Sequence, residues 1–80
     1  MKRRWVPMSY NKGLDCWLVV VLDNTGYRIN CGEPFELYIG KYYGIPCRLE
    51  LGRQWYVVIG SEGVKLNLRK DQTYKININY

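Results

Sequence analysis

Eighty residues, 48 % hydrophobic and 15 % aromatic with a formal net charge of +5, make a single small domain spanning residues 1–80. So much apolar side chain excludes intrinsic disorder, and the longest apolar run, residues 16–22, has only seven members against the ~20 of a membrane helix. There is no His and no Ala. The first absence removes the commonest general base and neutral metal ligand. The second, with Val, Ile, Tyr and Trp abundant instead, argues against a helical protein.

Residues 1–4 read as a flexible basic end; they resemble the start of a signal peptide, but no apolar core region follows. Residues 4–10 are a first strand, placed at a sheet edge because Pro7 lacks a ladder donor. Residues 15–22 run unbroken and Val-rich, as in a central strand buried on both faces. Asp23, Asn24, Thr25 and Gly26 form a hairpin turn with Gly26 at positive φ. Residues 27–31 return, and Gly32, Glu33 and Pro34 break the strand. Phe35, Leu37 and Ile39 then share one face, with Glu36 and Tyr38 on the other. Lys41, Tyr42 and Tyr43 lie between Gly40 and Gly44 as an exposed aromatic loop.

Residues 46–51 point Cys47, Leu49 and Leu51 inward and Arg48 and Glu50 outward. Gly52, Arg53 and Gln54 turn the chain into residues 55–59, and Gly60 to Gly63 turn it again into Val64, Leu66 and Leu68. Tyr74, Ile76, Ile78 and Tyr80 give the cleanest alternation, a half-buried terminal strand. The expected fold is all-β: a small SH3-like or similar barrel, or a strongly curved antiparallel sheet, of about six to seven short strands.

Catalysis lacks its usual parts. No imidazole stands by to activate Cys16, Cys31 or Cys47, and these three thiols read as buried and free, in a reducing cytoplasm. Glu36 and Glu50 are the best carboxylate pair, but cross-strand pairing with Arg28 and Arg48 accounts for them. The single carboxylates in the turns lack the spacing of a calcium loop. The expectation is a non-enzyme with no metal and no cofactor.

What remains is a binding surface. Arg28, Tyr38, Arg48 and Tyr56 take the polar phase of successive strands, and Lys41, Tyr42, Tyr43 and Arg53 occupy adjoining loops. If those strands neighbour one another, rings flanked by cations cover one sheet face. Such a face suits a protein partner, since Tyr, Trp and Arg are enriched at interface hot spots. It equally suits nucleic acid, by base stacking and phosphate neutralisation. Residues 74–80, were they at a sheet edge, would allow a homodimer by strand pairing.

Tyr27 to Glu33, then Phe35 and Glu36, then Arg48, Leu49 and Glu50, then Trp55, Tyr56 and Val57 resemble the domain of unknown function 5348 family, from about residue 15 to residue 80. That resemblance implies small β-rich proteins of Gram-positive bacteria and their mobile elements, with no assigned activity and so no active-site residues to carry over. It also implies a context in which small proteins act by binding a host or defence component. The reading favours a protein-binding accessory or inhibitor of the anti-defence kind, encoded by a phage or mobile element, with a small nucleic-acid-binding barrel as the alternative.

Overall fold

A computed structural model describes residues 5–20, 26–41 and 43–78. The basic end at residues 1–4, Asp23 to Thr25 of the first hairpin turn, Tyr42 and residues 79–80 therefore lie outside the described residues. The period-two alternation becomes eight strands: β1 (Val6–Asn11), β2 (Cys16–Val20), β3 (Gly26–Ile29), β4 (Pro34–Gly40), β5 (Tyr43–Leu51), β6 (Trp55–Ile59), β7 (Val64–Asn67) and β8 (Tyr74–Asn77). All pair antiparallel in one sheet of order β3-β2-β1-β8-β4-β5-β6-β7. The class is as expected, and the strand count exceeds the six or seven anticipated.

The order is two meanders, β1-β2-β3 and β4-β5-β6-β7, joined through β8. Each meander leaves its first strand with a free side, and β8 fills both gaps. Ile76 lies opposite Val6 of β1 and opposite Leu37 of β4. This overturns two expectations. Residues 74–77 pair with β1 on one side and β4 on the other, so among the described residues the edge position on which a homodimer through residues 74–80 was conditional is not found. Nor is β1 an edge: it pairs with both β2 and β8, Pro7 lying opposite Lys75 of β8, while among the described residues its ladder with β2 runs from Met8 to Asn11.

Inward side chains from β3 at one end of the order and β6 near the other join one cluster, which includes Ile29, Trp17, Leu37, Leu49 and Val57. A flat sheet could not bring them together, so the sheet curls until its inner face packs on itself. Trp17, 0 % exposed, sits edge-on to Tyr10 at 5.6 Å and to Tyr74 at 5.8 Å. Its Nε1 finds no hydrogen-bond acceptor among the described residues, a cost of about 1–3 kcal/mol set against a large buried ring.

Several local expectations change. Gly26 is ordinary strand backbone rather than a positive-φ turn residue. A register shift between Tyr38 and Gly40 turns Ile39 out, leaving it 56 % exposed instead of inward with Phe35 and Leu37. On β2 the outer face is only partly covered, since Val20 is 49 % exposed. Leu51, expected inward and buried, ends its strand 49 % exposed. All three cysteines are free as expected, but Cys31 is exposed because it sits in the β3–β4 link and not in a strand.

That link is fastened on both sides. Gly32, at φ 84°, needs a conformation costly for other residues. Its N–H donates to the Leu49 carbonyl at 2.6 Å, and Leu49 N–H donates to the Glu33 carbonyl at 3.2 Å. The Glu33 carboxylate accepts from the Tyr27 hydroxyl at 2.6 Å and from Asn30 N–H at 3.0 Å. The two backbone bonds continue the β4–β5 ladder one pair past Pro34 and Arg48, and the Glu33 side chain ties the end of β3 to the start of β4.

Candidate functional site

The outer face carries Tyr38, Arg48 and Tyr56 on three adjacent strands, β4, β5 and β6, as the polar phase requires. Arg28 does not join them: β2, β1 and β8 lie between its strand and β4. Lys41 and Tyr43 sit at the β4–β5 turn, where Lys41 adopts φ 49°. Arg53 occupies the β5–β6 turn just past Leu51, at the opposite end of the nine-residue β5 from Tyr43. The expected single patch is therefore divided: Arg53 stays beside Tyr56, lining one concavity with it, whereas Lys41 and Tyr43 lie at the other end of β5 and Arg28 lies on a distant strand of the order, because residues sharing a phase need not share a neighbourhood.

The outer rings are not bare. Trp5 packs edge-on against Tyr38 at 5.1 Å, and the Lys75 ammonium lies 5.3 Å from the same ring's centre. Trp5 also lies over Gly44, where an added Cβ would come within 2.5 Å of the indole; Gly44 allows that approach. Beside them Asn77 donates to Glu36 at 2.9 Å, across the β4–β8 pair. Farther along, Lys65 caps Tyr56 at 5.1 Å and Arg48 Nε donates to Glu50 at 2.9 Å. The carboxylates Glu36 and Glu50 thus have structural partners. The Arg48 pairing runs along one strand, two residues apart, and not across strands as expected.

Sequence reasoning missed a pocket of about 590 Å³ at the end of the sheet. Its apolar floor is Leu51, Trp55 and Leu68, and its rim carries Arg53, Arg69 and Lys70 together with Asp15 and Asp71. Three separate turns converge there, so no local motif announces it; the one signal was the Arg69-Lys70 pair following Leu68. Asp15 holds a left-handed φ of 50°, tolerated by Asp better than by most residues, in a turn where Asn11 Oδ1 accepts from Leu14 N–H at 2.9 Å. The Tyr10 hydroxyl donates to the Asp15 carboxylate. That bond, aided by Trp55 and the Lys70 charge, holds the carboxyl below its ordinary range and raises the Tyr10 hydroxyl. Lys70 lies 4.8 Å from the Tyr10 ring centre, and Arg69 reaches Asp71 at 3.6 Å.

Among the described residues no three His, Cys, Asp or Glu side chains gather as a metal site. Burial pushes the Cys47 thiol up to about 12, which leaves it a core residue and a poor nucleophile.

The model of the family described as "Domain of unknown function (DUF5348)" matches residues 6–78. The chain belongs to the DUF5348 family. The residues that carried the resemblance have roles in the fold: Gly32 and Glu33 shape and fasten the β3–β4 link, Leu49 and Trp55 enter the core, and Arg48 and Glu50 pair outside. The chain is also similar to the crystal structure of a structural-genomics target from Ruminococcus gnavus, with a TM-score of 0.72 and 21 % identity over 94 % of this chain and 100 % of that one. This likeness concerns the fold. No curated protein matches the chain.

Proposed function

We propose that this DUF5348 chain is a non-enzymatic protein-binding module, an accessory or inhibitor protein, that receives its partner at the β5–β7 end of the sheet. One observation carries the reading. On the inner face the rows Leu49–Val57–Leu66 and Cys47–Ile59–Val64 begin buried and finish at Leu66 and Val64, which are 41 % and 58 % exposed. Among the described residues β7 pairs on one side only, and a core that runs out to solvent on such a strand is a surface awaiting cover.

Arg48, Arg53 and Tyr56 border the same end, residue types enriched at protein interfaces. Nucleic-acid binding through the outer rings is the weaker reading, because Lys75 and Lys65 already lie over Tyr38 and Tyr56, where bases would stack. A reducing, cytoplasmic setting belongs to the same proposal, since such a compartment keeps an exposed thiol like Cys31 free.

The test compares ligands directly. Labelled single- and double-stranded oligonucleotides at low and physiological salt are titrated beside an array of extended peptides. Peptide binding that survives the salt change supports the proposal. Oligonucleotide binding that falls steeply with salt, with no peptide bound, overturns it.

A further inference from the structure

We infer that β7 accepts a ninth antiparallel strand from an extended segment of another protein in which apolar and acidic residues alternate. The inference rests on the protein-binding reading and names the partner's chemistry. Beyond the β6–β7 ladder, Leu68 N–H donates to the Trp55 carbonyl at 2.9 Å. Antiparallel pairs alternate between exchanging hydrogen bonds and not. Counting back from that bond, Leu66 and Val64 exchange with Val57 and Ile59. The N–H and C=O groups of Lys65 and Asn67 therefore point away from the sheet, where no strand pairs with them among the described residues.

Side chains specify the occupant. Val64 and Leu66 lie on the inner face, continuing the core rows, so the incoming residues on that face must be apolar. Lys65 lies on the outer face and shares with Arg53, Tyr56 and Asn67 the lining of a concavity of about 370 Å³. The nearby carboxylates are Glu50, already taken by Arg48, and Glu62 in the preceding turn. A residue opposite Lys65 is thus best acidic. A second copy fits worse: pairing centred on Lys65 would set ammonium against ammonium, between chains each of charge +5.

The probe is a labelled, end-capped synthetic peptide of alternating Val and Asp, titrated against the whole 80-residue chain. N-methylation of the Asp amides, which would donate to β7, should weaken binding about tenfold or more, while N-methylation of the Val amides should leave it nearly unchanged. Lys65→Glu and Leu66→Asp, both at exposed positions, should each weaken it about tenfold with the circular dichroism spectrum retained. Equal loss from both methylation patterns, or indifference to Lys65→Glu, would overturn the ninth strand while leaving protein binding intact. No binding of the peptide at about 1 mM, or a dimer that Leu66→Asp dissociates, also overturns it. Salt-steep oligonucleotide binding without any peptide bound removes the underlying reading as well.

Discussion

At one edge of the sheet β3 buries Ile29 to 1 % exposure, whereas at the other β7 leaves Leu66 at 41 % and Val64 at 58 %. Both strands are four residues long, and among the described residues each pairs with one neighbour. The difference lies in the segments that flank the two strands. β3 runs into a link whose Glu33 side chain holds the Tyr27 hydroxyl and the Asn30 N–H while its backbone continues the β4–β5 ladder at Leu49, and Ile29 enters the core cluster. β7 enters from the Gly60–Gly63 turn, with both glycines at positive φ, and only its last neighbour, Leu68, returns to the core. An edge is closed here by a fastened link and curvature, without a complete ladder.

Truncating the two edges should separate them most. Ile29→Ala is expected to lower stability by about 2–5 kcal/mol, and Leu66→Ala by about 0.5 kcal/mol or less, as read from urea denaturation. Similar losses at both would show that β7 is covered in solution. Next in size is Gly32→Ala, which imposes a side chain at φ 84°. It should cost about 1 kcal/mol or more and speed amide exchange at Leu49, whose N–H bonds into the same link. Unchanged exchange there would mean the link is not fastened at Leu49.

Thiol labelling sharpens the contrast at smaller scale. Cys31 on the exposed link should react promptly with a thiol reagent, while buried Cys16 and Cys47 react only on unfolding. Three equally fast thiols would contradict the packing. The smallest effect is expected from Asp15→Asn beside the pocket. Because the Asp15 carboxyl is held below its ordinary range, its contribution is present above that range and lost as pH falls through the depressed value. Urea midpoints measured from neutral to acid pH should therefore fall less in the variant; parallel acid limbs would show that the Tyr10–Asp15 bond contributes nothing.

Much of this was legible in the residues. Alternation identified the strands, and it correctly turned Phe35, Leu37, Cys47 and Leu49 inward and Arg48 and Tyr56 outward, because side-chain phase is a period-two property of the strand itself. Ile39 escaped because a bulge, which no local pattern announced, reverses the phase. The candidate surface was half legible: Tyr38, Arg48 and Tyr56 do occupy neighbouring strands, but Arg28 lies beyond β8, β1 and β2.

Gly32, Glu33, Leu49 and Trp55 drew notice by their pattern, and only their contacts reveal their places in the link and the core. Phase, turns and all-β class are local, and the amino-acid sequence determined them by itself. Sheet order, the central place of β8, the pocket built from three turns and the open side of β7 were decided by tertiary structure. These depend on which distant strands curvature brings together, and a period of two residues carries no information about that.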